Sequence, residues 1–145
     1  MEAQNQYTSL DGAEEARNVD VYRRLIEVGI ALSAEKDQKR LMENILSAAR
    51  DFTNADAGTL YLKTEQNTLS FEILQNDTLD IALGGTTGAS VAMPDVNLFN
   101  DDGTPNLTNV ASAAAVTGNF INIADAYSAD EFDFSGTKTF DELTG

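Results

Sequence analysis

The sequence has no cysteine, no histidine and no tryptophan. Without cysteine the chain forms no disulfide, holds no thiolate-bound metal and carries no thiol-linked chromophore. Without histidine it lacks the usual ligand of zinc and haem, and the usual base that activates a serine or cysteine nucleophile. We therefore expect a binding protein and not an enzyme, with no metal site.

Positive charge is also scarce, since 9 Lys and Arg stand against 24 Asp and Glu, for a net charge of −15. Eight of the cations lie between Arg17 and Lys63, and only Lys138 follows later. Nucleic acids and anionic membranes both need a basic surface, so neither is an expected partner. An anionic ligand in the second half would have to be held by backbone N–H groups or a helix N-terminus.

Long hydrophobic runs are missing as well. No stretch approaches 18 consecutive apolar residues, and the first ten residues have neither a basic start nor an apolar core. We therefore expect a soluble, cytoplasmic chain without a signal peptide. Its 145 residues and 42% hydrophobic content are typical of one globular domain.

The most regular stretch of the sequence predicts a β-hairpin. Apolar and polar residues alternate in Ala57–Lys63 and again in Leu69–Leu74, a period of two that is typical of strands. The polar segment Thr64–Thr68 joins the two runs and predicts a turn. A predicted helix leads directly into this hairpin, an order that indicates an α+β domain with an antiparallel sheet flanked by helices.

Two helices are predicted before the hairpin, Val19–Ser33 and Gln38–Phe52, with Asp37 as the N-cap of the second. Residues 1–18 are polar and predict a flexible segment, which leaves 19–145 as the domain. The first helix carries an apolar stripe at heptad-like spacing. We expect this stripe to form a homodimer interface, and the alternative is a packing face within the chain. Its residues are Val21, Leu25, Val28 and Leu32.

The rest of the chain predicts loops and short elements. The glycine-rich segment 84–88 lacks the Gly-Lys-Ser/Thr ending of a phosphate-binding loop and is interpreted as a plain loop. Short or edge strands are predicted on either side of Pro94, in 90–93 and 96–99. A helix is predicted to open at 104–106 and to end at Gly118, followed by a strand over Phe120–Ile123.

The C-terminal segment 124–145 is acidic and contains four aromatic residues. Aromatic residues in such a loop either line a pocket or attach the loop to the core, and the second interpretation is favoured. They are Tyr127, Phe132, Phe134 and Phe140.

Four segments, in order along the chain, carry a resemblance to a known family. They are 52–62 (FTNADAGTLYL), 106–118 (NLTNVASAAAVTG), 122–127 (NIADAY) and 132–145 (FDFSGTKTFDELTG). Together they resemble the GAF domain, the sensor module of cyclic-nucleotide phosphodiesterases, adenylate cyclases, histidine kinases and HD-type phosphohydrolases. The resemblance implies a regulatory domain that binds a small molecule and controls a C-terminal output domain in a larger signalling protein.

The resemblance also implies a ligand site, with cAMP or cGMP as the leading ligands. Two positions depart from the family pattern, because Ile123 stands where the family has Lys and Thr137 where it has Phe, so the lysine-to-aspartate pairing of cyclic-nucleotide-binding members is missing in that form. The implied site residues are Asn122, Asp125, Tyr127, Phe132, Phe134, Thr137, Phe140 and Asp141.

The family continues past a Thr-Gly like the last two residues of this chain into two more strands, one of which pairs with the first hairpin strand. We therefore expect the GAF-like domain to be C-terminally incomplete and the edge of Ala57–Lys63 to be open. The function predicted first is a ligand-sensing regulatory domain. The alternative is a structural or dimerisation module with a degenerate pocket and no ligand.

Overall fold

The structure is a computed structural model that describes residues 2–129 and 131–134. In this part of the chain, three α-helices accompany an open antiparallel sheet of four strands, so the predicted α+β class is confirmed. The elements are α1 (Glu2–Ala34), α2 (Gln38–Thr53), β1 (Ala57–Lys63), β2 (Thr68–Asn76), β3 (Ile81–Gly84), β4 (Val96–Asn97) and α3 (Val110–Thr117).

Helix α2 begins and ends as its sequence predicts. The Asp37 carboxylate accepts a hydrogen bond from the Arg40 N–H at 3.0 Å, which satisfies one of the free donors of the first turn. Asn54 ends the helix in the left-handed conformation (φ 52°). Helix α1 is longer than predicted, because the helical backbone begins at Glu2 and not at Val19.

The hairpin is confirmed, and β1 has the predicted bounds. Its turn is closed by the Thr64 N–H, which donates to the Thr68 carbonyl at 2.9 Å, while Asn67 takes the left-handed conformation. A register shift between Leu60 and Tyr61 marks a β-bulge that was not predicted. The shift places Tyr61 opposite Phe71, with their ring centroids 4.5 Å apart.

Strand β2 is the centre of the sheet. β1 pairs along one side of it, β4 pairs with its first two residues and β3 with its last four. Among the residues the structure describes, β1 has β2 as its single neighbour. The face of this hairpin that carries Gly58 and Gln75 packs against α2, as shown by the contact of Arg50 with both positions.

Helix α3 begins later than predicted. Its N-cap is Asn109, whose side-chain oxygen accepts from the Ser112 N–H at 3.1 Å, so the predicted opening at 104–106 is wrong. The reason is that Pro105 forms an isolated bridge with Phe99, and the Asn106 N–H donates to the Leu98 carbonyl. These bonds hold the segment in an extended hairpin-like turn before the helix. The C-terminal cap at Gly118 (φ 69°) is confirmed.

Two predicted strands are wrong. Residues 90–93 are not a strand. The neighbouring predicted strand, 96–99, is present as the shorter β4. Phe120–Ile123 has no strand conformation either, and Phe120 is fully exposed. A four-residue run with three apolar residues contains too few periods to distinguish a strand from an apolar loop.

The core is formed by residues of α2, β2, the loop that follows β4, and α3. Buried apolar side chains in the described residues are Leu46, Leu69, Ile73, Leu98 and Ala113, and Ile73 is only 1% exposed. In the same residues no helix is long and apolar enough to cross a bilayer.

Candidate functional site

The sequence-predicted ligand residues lie on or after the segment that follows α3. Asn122 and Asp125 are exposed, and the Asp125 carboxylate accepts a hydrogen bond from the Ser128 hydroxyl at 2.7 Å. Tyr127 is in a short 3-10 helix, Ala126–Ser128. Three further predicted residues, Thr137, Phe140 and Asp141, lie outside the described residues.

Phe132 and Phe134 are half-buried and meet edge to face, with ring centroids 6.3 Å apart. Between them, the Asp133 N–H donates to the Thr108 carbonyl at 2.8 Å, which ties the segment to the loop before α3. This arrangement agrees with aromatic residues that attach a loop to the domain. Neither Phe132 nor Phe134 lines the cleft described next.

A cleft of about 270 Å³ lies between the first turns of α2, strand β2 and the loop after β3. Its volume is near the lower limit for small-molecule sites, roughly 300 Å³. Lys39 supplies one cation, and an apolar side is formed by Met42, Phe71 and Val91. The remaining lining is Glu72 with a rim of small residues, namely Gly84, Gly85, Gly88, Ala89 and Ser90.

The glycine-rich rim of this cleft is attached to α2 by Glu43. One carboxylate oxygen of Glu43 accepts from the Thr86 N–H at 2.7 Å, and both oxygens lie within 3.0 Å of the Thr86 hydroxyl. Gly85 has φ +56°, and a Cβ at this position would clash with the Glu43 carboxylate. The loop therefore needs glycine both for its backbone conformation and for its close approach to α2.

The aromatic residue on the cleft wall belongs to a packed pair. Phe71 lies against Tyr61, and burial raises the pKa of the Tyr61 hydroxyl above its ordinary value. Both side chains are neutral at physiological pH, and Tyr61 on the neighbouring strand packs against Phe71 and fixes its position. The cleft therefore combines an aromatic ring, an aliphatic wall, the Lys39 ammonium and the Glu72 carboxylate, a set of groups that can contact a small ligand with a ring and a charged group.

A second cleft, of about 450 Å³, is polar and surrounds the side chain of Arg50. Arg50 donates to Asp77 at 2.6 Å, to the Gln75 side chain at 3.0 Å and to the Asp56 carbonyl at 2.8 Å. The bond to Asp77 raises the pKa of Arg50 and lowers that of Asp77. Because the two terminal nitrogens of this guanidinium bond three partners from α2's neighbouring hairpin and loop, while its buried Nε has no partner in the described residues, we interpret the cluster as a structural connection between α2 and the hairpin.

Metal binding has no support in the described part of the chain, where no group of three or more acidic side chains could hold an ion.

The predicted dimerisation stripe is divided between two environments. Val28 and Leu32 line a groove of about 200 Å³ between α1 and α2, together with Ala48 and Phe52. For these two residues, the groove corresponds to the alternative interpretation of the stripe, a packing face within the chain. Further towards the N-terminus, Val21 and Leu25 are 48% and 47% exposed. The dimerisation role of the stripe stays a prediction.

Comparison with protein-family models, with curated proteins and with solved structures finds no match. The GAF-like resemblance of the sequence therefore stays a prediction, and the α+β fold is what the structure adds to it.

Proposed function

We propose that this chain is a regulatory, small-molecule-sensing domain of a larger signalling protein. The observation that carries the proposal is the cleft between α2, β2 and the loop after β3. In a chain with a net charge of −15, it combines one of the nine cations, Lys39, with the Glu72 carboxylate, an apolar wall and a glycine-rich rim. The proposal places the ligand there and not at the exposed Asn122 and Asp125.

Each part of the cleft has a defined role in the proposal. The ammonium group of Lys39 pairs with an anionic group of the ligand, and Phe71 contacts its ring. The rim glycines allow the backbone to approach the ligand without side chains in between. Cyclic AMP and cyclic GMP contain a ring system and a single negative charge, so they are the first ligands to test.

The test is a thermal melt of the 145-residue chain with and without millimolar cAMP or cGMP. A ligand at about 100 times its dissociation constant adds roughly 2.7 kcal/mol to the free energy of unfolding. For a chain of this length we expect the Tm to rise by roughly 5–10 °C. The variant Lys39→Ala should lose this shift, while Lys36→Ala, which removes an exposed cation outside the cleft, should keep it.

Two results would contradict the proposal. A shift that survives unchanged in both Lys39→Ala and Phe71→Leu would place the ligand elsewhere in the chain. A cooperative melt that neither nucleotide shifts would favour a different ligand or the second candidate function.

The second candidate is a dimerisation module without a ligand. It is favoured by the apolar surface of α1, where Val19, Tyr22, Ile26 and Ile30 are each at least half exposed. Molecular mass in solution, measured by light scattering on the chain without nucleotide, tests this candidate separately from ligand binding.

A further inference from the structure

Helix α1 has a second apolar stripe, on the side away from α2. The residues that face α2 are Arg24, which bonds Asp51 at 3.0 Å, and the groove residues Val28, Ala31 and Leu32. At about 100° per residue, a second set of apolar residues is centred roughly 180° from these. We call this set the outer stripe: Val19, Tyr22, Ile26 and Ile30.

Among the α1 side chains that the structure describes, the outer stripe is the most exposed set of large apolar residues. Val19 is 51% exposed, Tyr22 65%, Ile26 63% and Ile30 66%. Within the described residues, the long helix is held to α2 by contacts on the opposite side alone. An apolar row along one face of a long helix is typical of a surface that packs against another helix.

Charge indicates which helix fits this surface. The chain carries a net charge of −15, but residues 15–34 contain three acidic and three basic side chains and are neutral. A second copy of residues 15–34 can therefore approach the outer stripe without net repulsion, whereas residues 2–14 of α1 carry three acidic side chains and no basic one.

The order of residues within the stripe is compatible with two-fold symmetry. Tyr22 and Ile30 are each four residues from Ile26, so an antiparallel pair centred on Ile26 places Tyr22 of each copy opposite Ile30 of the other. Arg23 and Glu27 lie together on one flank of the stripe. In an antiparallel pair this flank faces its own copy, which brings Arg23 of one helix within reach of Glu27 of the other, twice. Within one chain Arg23 already bonds Asp20 at 3.0 Å in an exposed pair, and Glu27 of the second copy would add to that contact.

A parallel pair lacks this complementarity. It would place the flank with Arg23 and Glu27 against the opposite flank, which carries the uncharged Asn18 and Gly29. We infer that the chain forms a homodimer in which two α1 helices pair antiparallel through the outer stripe, with Ile26 on the two-fold axis. The inference does not depend on the proposed ligand site. With four side chains from each copy, the contact belongs to the small and reversible class of interfaces.

Because the chain has no cysteine, single cysteines can report the geometry directly. Each variant of the full chain is oxidised mildly at a concentration of about 100 μM, and the products are resolved by mass spectrometry. Ile26→Cys should cross-link to itself. A mixture of Tyr22→Cys and Ile30→Cys should give the disulfide-linked mixed dimer. Tyr22→Cys alone should give little disulfide-linked dimer. In the antiparallel pair, position 22 of one chain and position 22 of the other are about 12 Å apart along the helix axis, and a disulfide needs Cα atoms within about 7 Å.

Charge substitutions on the two faces of α1 provide a matched control. Ile26→Lys should lower the dimer fraction seen by light scattering at least tenfold, while Val21→Lys on the other side should change it less than twofold. Both positions are exposed, so the fold should survive in both, as checked by circular dichroism. The inference is overturned if Tyr22→Cys cross-links to itself as fast as in the mixture. It is also overturned if only Val21→Lys dissociates the dimer, or if the unsubstituted chain is monomeric at several hundred micromolar.

Discussion

Helix α2 and helix α1 are attached to the domain in different ways. Helix α2 contributes the buried Leu46 to the core, and its Arg50 and Glu43 reach the hairpin and the glycine loop through short hydrogen bonds. Helix α1 is twice as long, but the side chains that connect it to α2 are exposed or half-exposed. From Val19 onward, most of its large apolar residues remain largely in contact with water.

The difference separates two sources of stability. Short isolated helices are marginal in water, and most helices in proteins are stabilised by tertiary packing of one face. Helix α2 has such packing, whereas α1 has it along the groove with α2 and depends elsewhere on its intrinsic helix propensity or on a partner. The same substitution should therefore change the free energy of unfolding much more in the packed core than on the exposed part of α1.

The largest effect is expected from removing the side chain at the centre of the core. Ile73→Ala leaves a cavity where the side chain is 1% exposed, so the free energy of unfolding should fall by about 2–5 kcal/mol. Ile30→Ala makes the same chemical change on α1 and, at a chain concentration low enough to keep the inferred dimer dissociated, should alter it by less than about 0.5 kcal/mol. Urea unfolding of both variants measures the two values. Equal losses would show that α1 is packed as firmly as the core.

The attachment of the glycine loop to α2 can be tested next. Gly85→Ala and Gly88→Ala both place a Cβ on a left-handed backbone, at a cost of about 1–2 kcal/mol. A Cβ at Gly85 also meets the Glu43 carboxylate, whereas one at Gly88 meets nothing within 4 Å. We expect Gly85→Ala to cost about 1–3 kcal/mol more than Gly88→Ala in the same unfolding experiment. Equal costs would mean that the loop moves away from Glu43 freely.

The same contrast explains which elements the sequence predicts well. Helix α2 and strand β1 have local signals that agree with their packing, namely an N-cap at Asp37, an apolar periodicity and a polar turn. The start of α3 was missed because Pro105 is held by a bridge to Phe99, a contact with no local signal. Tertiary contacts of this kind override the tolerance of a first helical turn for proline.

The candidate site shows the same limit of sequence-based prediction. The loop at Gly84–Gly88 was interpreted as a plain loop because it matches no phosphate-binding motif. Its attachment depends on Glu43, which lies 43 residues from Thr86 in the sequence. A cleft formed by Lys39, Phe71 and Val91 joins three distant segments, so no spacing in the sequence reveals it. The composition indicated only that any anion site would contain few cations.

Helix propensity should matter more on α1 than packing does. A Cβ at Gly29 meets nothing within 4 Å, so Gly29→Ala is accommodated without strain. It should stabilise the helix by about 0.5–1 kcal/mol, because glycine loses more backbone entropy than alanine on folding. Amide hydrogen exchange in α1 should slow by roughly threefold to fivefold, while exchange in β2 should stay unchanged. An unchanged rate in α1 would show that packing, not propensity, holds this part of the helix.

The smallest effect, and the one with a pH signature, concerns the exposed end of the Arg50 cluster. The Arg50 side chain is 13% exposed, whereas that of its partner Asp77 is 77% exposed, so solvent screens the pair. The hydrogen bond from Arg50 lowers the pKa of Asp77 below its ordinary value of 3.8. A carboxylate whose pKa is lower in the folded state contributes stability above its unfolded pKa and loses it as the pH falls through the folded value.

Asp77→Asn should therefore lower the Tm slightly at pH 7, and the difference from the unsubstituted chain should disappear at a pH below the pKa of Asp77 in the folded protein. Asp80→Asn is the charge-matched control, since it removes one negative charge three residues away and keeps a residue type suited to the left-handed backbone found there. Its effect on the Tm should be smaller at pH 7. If both variants behave alike at every pH, the effect of Asp77 comes from net charge, and the bond to Arg50 contributes nothing measurable to holding α2 on the hairpin.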